Sequence, residues 1–333
     1  MSRKLSIGIV GLPNVGKSTL FNLITKQQAL AANYPFATID PNVGVVNVPD
    51  ERLKVLTDLS KSKKTIPAIV EFYDIAGLVK GANEGAGLGN KFLSHIRETQ
   101  AIVIVLRAFE NSDIVHVENS VDAKRDLEIL ITELILKDLN TVDKRLGSLE
   151  KEARTGDKSI QKNLEILKTV KARLEKGETV EDLGEEEIIK ELQLLASKKH
   201  VYLINGSEDD LKPELKELLE KRGGHYLVVD LNEAENVDSL IRKAYETLNL
   251  ISFFTTGEDE TRAWTITRGA LAPQAAGEIH TDFEHKFIRA EVVPYDKLKE
   301  AGSWSGAKQK GWMSLEGKEY QVQDGDVMVI RHG

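Results

Sequence analysis

The chain has 333 residues, too many for one ordinary domain and enough for two or three. Hydrophobic residues make up 41% and charged residues 29%, the balance of a water-soluble globular chain, and the net charge of −8 excludes a global basic field that would draw it onto nucleic acid. There is no cysteine, which excludes disulfides, thiol switches and cysteine-ligated zinc. No window approaches the ~18 apolar residues of a membrane span. The first apolar run is too short for a signal peptide and reads as a strand, so the expected location is cytoplasmic.

Residues 5–10 (LSIGIV) read as a buried strand running into a glycine-rich turn and a helix from about Lys17. Residues 43–48 and 68–73 are further β-branched runs bounded by turn residues, and 102–106 (IVIVL) is a continuous apolar run of the kind a central parallel strand shows. Residues 200–204 and 225–229 are two more strands with a helical pattern between them. Strands alternating with helices predict an α/β fold, a doubly wound, mostly parallel sheet.

That alternation is interrupted between 122 and 198. Ile135, Leu139, Val142, Leu146 and Leu149 step by four and three, Ile160, Leu164, Leu167, Val170 and Leu174 do nearly the same, and RTGD lies between the two sets. The spacing predicts an antiparallel helical hairpin, either a projecting coiled-coil arm or two ordinary surface helices. After about Leu250, short strand-like runs (ISFFT, RAWTI, FIRAEV, VMVIR) alternate with glycine-bearing turns, as in a small β-rich domain. The expected division is a nucleotide domain over 1–121 and 199–249, an inserted arm over 122–198 and a β-rich domain over 250–333.

Residues 11–19 read GLPNVGKST, a G-x-x-x-x-G-K-S between a strand and a helix. Gly11 and Gly16 let the loop wrap phosphates, which then face backbone N–H groups (Val15, Gly16 and Thr19 among them) and a helix N-terminus. Lys17 is expected to reach the β- and γ-phosphates and Ser18 to ligate Mg²⁺. Thr38, in Tyr34-Pro35-Phe36-Ala37-Thr38, is placed to complete the Mg²⁺ shell from the first mobile loop. Asp74-Ile75-Ala76-Gly77 follows a strand; Asp74 is expected to hold Mg²⁺ through water, and the Gly77 N–H to contact the γ-phosphate.

The residue after Gly77, which orients the attacking water as glutamine in Ras-type enzymes, is Leu78. Intrinsic turnover is therefore expected to be slow, with His116, His95 or backbone groups as candidates for placing the water. Asn14 has two readings: a turn-forming asparagine, or a carboxamide oxygen holding K⁺ beside the phosphates. Under the second, hydrolysis runs faster in K⁺ than in Na⁺, and equal rates exclude it.

The strand HVYLI ends in Asn205-Gly206-Ser207-Glu208, N-x-x-E, where guanine readers carry N-K-x-D. A glutamate displaces the bidentate grip on guanine by roughly a methylene, and a site that leaves guanine's donors poorly paired forfeits much of its discrimination. Adenine, with its N6 amino group, is the expected base. The same residues would also cap a helix well.

GLPNVGKST, YPFATIDPNVG, DIAGLVKGANEGAGLGNKFL and N-x-x-E together resemble the YchF/Obg-like ATPase family, and RAWTITRGALAPQAAGEIHTDFEHKFIRAEVVPYD with VQDGDVMVIRHG resembles that family's TGS domain, a ubiquitin-like β-grasp. The resemblance covers nearly the whole chain. It implies an ATP-preferring P-loop NTPase with an inserted helical arm, associated with ribosomes and translation control. It also implies a role in hydrolysis for the histidine at His116. The stretch from Glu208 to Leu250 is shorter than the family pattern, and a brace on the far side of the base is not recognisable there. Without cysteine, the thiol regulation suggested for some relatives has no means to operate. His285, Lys286, Arg289, Lys297, Lys299, Lys308 and Lys310, with Trp304 and Trp312, offer a surface for RNA or the ribosome. They are also the composition of an ordinary small-domain surface. A GTPase of the same design, and a nucleotide-gated binding module with incidental hydrolysis, are the alternative functions.

Overall fold

Apolar runs without alternation belong to strands covered on both faces, and they form the middle of the first sheet. The structure, a computed structural model, describes residues 5–30, 43–74, 96–111 and 120–333. Thr38, Gly77, Leu78, His95 and His116 lie outside the described residues. In chain order, β1 (Leu5–Val10) leads through the glycine loop into α1 (Lys17–Leu30). Then come β2 (Val43–Asn47), α2 (Glu51–Ser60), β3 (Lys64–Ile66), β4 (Ile69–Asp74) and β5 (Ala101–Arg107), the last buried at every position.

Two long helices follow, α3 (Ala123–Glu152) and α4 (Lys158–Glu175). The chain continues with α5 (Glu187–Leu192), β6 (Lys199–Asn205), α6 (Pro213–Lys221), β7 (Tyr226–Val229) and α7 (Asp238–Thr247). The first sheet has the order β2-β4-β1-β5-β6-β7 and is parallel except for β2, which runs antiparallel to β4. This is the doubly wound arrangement that the alternation of strands and helices predicts.

The hairpin between β5 and β6 forms as the spacing requires. Val142, Leu146 and Leu149 of α3 and Leu167, Val170 and Leu174 of α4 are buried. Gly156 takes a left-handed φ of 82° at the turn, and the Asp157 carboxylate accepts from the N–H groups of Ser159 and Ile160 to start α4. At 1.5 Å per residue, α3 is about 45 Å long. Its first half buries Leu127, Leu130, Ile131 and Leu134 in the same core as the sheet. One helix thus serves both readings, cover for the sheet at one end and half of an inserted arm at the other.

A buried polar cluster locks the base of this arm. The Asp138 carboxylate accepts from the Ala196 N–H (2.7 Å) and pairs with the Arg97 guanidinium (3.2 Å). Arg97 also donates to Thr141 Oγ1 and to the carbonyl of Gln193, and Lys198 Nζ donates to the carbonyls of Arg97 and Thr99. Burial pushes the Lys198 amine down to about 8. Burial likewise pushes the Asp138 carboxyl up, against the pull of the Ala196 N–H and Arg97.

The remainder of the chain gives β8 (Leu250–Thr256), β9 (Glu260–Thr267), α8 (Ala272–Ile279), α9 (Thr281–His285), β10 (Phe287–Pro294), α10 (Tyr295–Ala301), α11 (Trp304–Gln309), β11 (Ser314–Glu316) and β12 (Asp326–His332). The second sheet has the order β11-β10-β12-β8-β9-β3. Its β8–β9 and β10–β12 pairs are antiparallel, and β12 lies parallel to β8. Ala272, Ala275 and Ala276 of α8 pack with Phe253, Val292 and Met328 on one face.

The other face is covered in part by residues from far upstream, which the sequence division at 250 does not anticipate. Leu53 and Leu56 of α2 share a core with Phe254, Ala263, Val293, Leu298 and Val327, and β3 pairs in parallel with β9, Lys64 opposite Glu260.

Candidate functional site

The carboxyl ends of β1, β4, β5 and β6 meet at one edge of the first sheet, the edge at which ligands bind in open α/β sheets. Gly11 leaves β1 where a side chain has no room: a Cβ there would lie 2.7 Å from the carbonyl oxygen of Val105. Asn14 stands exposed with a left-handed φ of 63°. Gly16 takes φ 108°, and a Cβ on it would lie 2.3 Å from Asn205 Nδ2. Both glycines of the motif are thus required by close approach to neighbouring strands.

Val15 is buried, Ser18 is exposed and Thr19 half-buried in the first turn of α1. Lys17 is 9% exposed, and its Nζ donates to the carbonyl of Leu12 at 2.6 Å. A buried ammonium folded back over its own loop keeps its charge at the anion-facing mouth of the helix. The peptide dipoles of α1 add partial positive charge at the same place.

Asn205 is buried at the end of β6, opposite Arg107. Its Nδ2 donates to the Val15 carbonyl at 2.9 Å, and its Oδ1 accepts from the Leu231 N–H at 3.1 Å. One carboxamide therefore ties the glycine loop to the loop after β7. The Leu231 side chain closes on Gly16, with Cδ1 3.0 Å from where a Cβ would stand. Gly206 follows, and its N–H donates to the carbonyl of Val229.

Capping at this corner falls to Ser207 and not to Glu208. Ser207 donates from both its N–H (2.8 Å) and its Oγ (2.7 Å) to Asp210 Oδ2, and these bonds hold the Asp210 carboxyl below its usual range. Glu208 sits exposed at the first position of that turn. Asp74 ends β4 with its backbone opposite Ile9 of β1, two residues before Gly11.

Two residues at this edge carry no motif in the sequence. Leu231 is one; its contribution is a backbone N–H and a packed methyl, to which a pattern of residue types is blind. Arg107 is the other. It is fully buried at the end of β5, donates to the carbonyls of Phe109 (3.1 Å) and Asn111 (3.0 Å), and stacks its guanidinium 4.7 Å from the Phe109 ring centre. An arginine ending an otherwise apolar run was its only signal. It shapes the chain leading into the segment that holds His116.

A parallel sheet whose first strand runs through this glycine loop into a helix, with an asparagine from a later strand bonded to the loop, defines a P-loop nucleotide hydrolase of GTPase-like topology. Residues 6–142 match the family described as "50S ribosome-binding GTPase", and residues 250–333 match the YchF-GTPase_C family, described as a protein of unknown function. "Ribosome-binding ATPase YchF" of Bacillus subtilis (strain 168) is 46% identical, covering 98% of this chain and 99% of that protein. "Obg-like ATPase 1" of Oryza sativa subsp. japonica is 44% identical, covering 99% and 92%. The solved structure of the Schizosaccharomyces pombe YchF GTPase superposes with a TM-score of 0.82 at 38% identity, covering 98% of each chain. The chain belongs to the YchF family.

Proposed function

We propose that this protein is a slow, Mg²⁺-dependent ATPase switch of the cytoplasm that associates with ribosomes and modulates translation. The observation that carries the chemistry is the glycine loop held between β5 and Asn205, with a buried Lys17 at its mouth. On binding, Lys17 exchanges the Leu12 carbonyl for phosphate oxygens. The N–H groups of Val15, Gly16, Ser18 and Thr19 cradle the same group, and the Gly77 N–H receives the γ-phosphate.

The Ser18 hydroxyl with Thr38 and Asp74 is an all-oxygen donor set, which suits a hard divalent cation. The exposed position of Ser18, next to buried Lys17, leaves its hydroxyl accessible at the loop. Mg²⁺ bound there would neutralise charge on the transferring phosphoryl group. His116 is assigned to placing the water, since Leu78 has no group with which to do so. Asn14, exposed beside the loop, is the residue through which K⁺ would act.

Base choice is assigned to Asn205, Gly206 and Glu208. With capping done by Ser207 and Asp210, the Glu208 carboxylate remains exposed beside the loop tie and is available to a base. The brace opposite is Leu231, held on Asn205 Oδ1. Association with the ribosome rests on the names of the relatives and on a local group of lysines and tryptophan in residues 250–333, assigned here as a TGS-like domain. Lys297 and Lys310 flank the Trp312 ring there at 4.7 and 4.3 Å. Phosphate contacts by such lysines are the expected means of holding RNA.

The test is equilibrium titration with ATP and GTP at matched Mg²⁺, repeated on Glu208→Asp, with ribosome co-sedimentation in each nucleotide state. Tighter binding of ATP, a shift towards GTP in Glu208→Asp and nucleotide-dependent sedimentation support the reading. A GTP preference in the parent chain makes it a GTPase of the same design. Sedimentation that ignores the nucleotide removes the switch.

A further inference from the structure

We propose that residues 48–68 and the second sheet form one rigid body, and that the β2–β4 strand pair is the lever by which nucleotide state moves that body. This rests on the nucleotide reading above. It concerns what lies at the two ends of one pair of strands.

At the near end, β2 begins at Val43, five residues after Thr38, and β4 ends at Asp74. Both residues proposed to meet Mg²⁺ from outside the glycine loop are therefore attached to this pair. The pair is antiparallel, from Val43 opposite Tyr73 to Asn47 opposite Ile69. At about 3.3 Å per residue it spans roughly 17 Å. β2 is the edge of the first sheet, where it is bonded to β4 alone, and its Gly44 packs closely against Ile24 of α1; β4 in turn leans on β1.

At the far end, the Val48 N–H donates to the Ala68 carbonyl at 2.8 Å, and the apolar residues Leu53, Leu56 and Leu59 between them pack into the core under the second sheet. Leu53 and Leu56 are buried against Phe254 and Val327. The Arg52 guanidinium lies 5.0 Å from the Phe254 ring centre and pairs with Asp50 (2.7 Å) and Asp324 (2.9 Å); Asp324 in turn accepts from the Ser252 N–H. Ser62 Oγ donates to the Gly257 carbonyl at 2.6 Å, the Lys63 N–H donates to Glu258, and Ser60 and Thr256 share a bond of 2.7 Å. Apolar core, ion pair and strand pairing all join this segment to residues 250–333, so relative motion within the unit would break all three at once.

The other attachment is narrower. Helix α7 passes into β8 through Leu248 and Asn249, with Asn249 at a left-handed φ of 52°. It is supported by the Tyr245 hydroxyl to Thr265 Oγ1 (2.6 Å) and by the Arg268 N–H to the Asn249 carbonyl (2.8 Å). The strand pair that runs into the rigid unit is the lever, and the narrow connection at residues 248–249 is the pivot. A tilt of the strand pair on β1 at the nucleotide end then swings the second sheet about residues 248–249. Packed bodies respond to small local shifts by such rigid displacement. By linkage, a partner that favours one position of the second sheet changes nucleotide affinity by the same factor as nucleotide changes its own.

The absence of cysteine makes the test direct, since each introduced pair is labelled uniquely. Lys54 on α2, Lys216 on α6 and Lys308 on α11 are exposed. Spin labels are placed on the full chain as Lys54→Cys with Lys308→Cys, and as Lys216→Cys with Lys308→Cys. Distances are measured by pulsed EPR with ADP and with a non-hydrolysable ATP analogue, nucleotide occupancy being read in the same samples. The expected result is a change of a few ångströms between 216 and 308 and no change between 54 and 308. A change between 54 and 308 as large as the other overturns the rigid body, and two unchanged distances at full occupancy overturn the lever. Failure of either nucleotide to bind overturns the nucleotide reading itself, and this proposal with it.

Discussion

Replacing Lys17 with alanine is expected to lower Mg²⁺-dependent ATP turnover by about 10²–10³-fold, the usual effect of deleting one preorganised charge-stabilising donor. The fold is expected to survive. The ammonium donates to the Leu12 carbonyl of its own loop, and a bond from a charged donor of that kind contributes about 1.5–3 kcal/mol. The glycine positions, the Asn205 tie and the Leu231 contact do not depend on it. Phosphate release and thermal unfolding measured on the same preparation separate the two effects. Turnover within a few-fold of the parent, in a variant of unchanged stability, would mean the phosphates sit elsewhere.

The second large effect is expected far from the nucleotide. Asp138→Ala removes the carboxylate that joins Arg97 to the backbone at Ala196, and breaking one partner of a buried ion pair typically costs about 3–5 kcal/mol. Two cationic side chains would remain in a partly buried site, with Lys198 already pushed down to about 8 by burial. Urea unfolding followed by far-UV circular dichroism reads the loss. A change below about 1 kcal/mol would show that Arg97 is held sufficiently by Thr141 and the carbonyls of 192 and 193. Because Arg97 comes two residues after His95, turnover measured well below the unfolding transition also reports whether this anchor steadies the site.

The parts of the fold that were legible from sequence are those whose cause is local. The G-x-x-x-x-G-K-S loop sits between its own strand and helix, so its residues and its neighbours are adjacent in the chain. The β5 run announces burial on both faces through an unbroken apolar stretch, and α3 and α4 show their seam through steps of three and four. Residues 51–66 failed that test. ERLKVLTDLS alone reads as a surface helix, and KTI is too short for any period to show. What makes them part of a second core is a partner nearly two hundred positions away, as in the pairing of Lys64 with Glu260.

The site divides in the same manner. Lys17, Ser18, Asp74 and Asn205 were named by residue type at fixed spacing. Arg107 was not, because its partners are backbone carbonyls, which every residue has. Leu231 was not either, because its role is an N–H and a shape. The assignment of capping to Ser207 in preference to Glu208 likewise depended on where Asp210 folds back, a matter of turn geometry that the letters N-G-S-E leave open.

The placement of α2 also bears on how the chain is made. Leu53 and Leu56 leave the ribosome well before Phe254 and Val327, which cover them and are made about two hundred or more residues later. At about 5–20 residues per second, roughly 10–40 s of synthesis separates Leu56 from Leu250. Through that interval a nascent first sheet carries an uncovered apolar helix and an unpaired β3, the kind of surface that chaperones bind and that aggregates when crowded. Residues 250–333 made alone would meet the converse difficulty, a sheet lacking its edge strand and part of its cover. The two halves are thus completed together, only after both have been made.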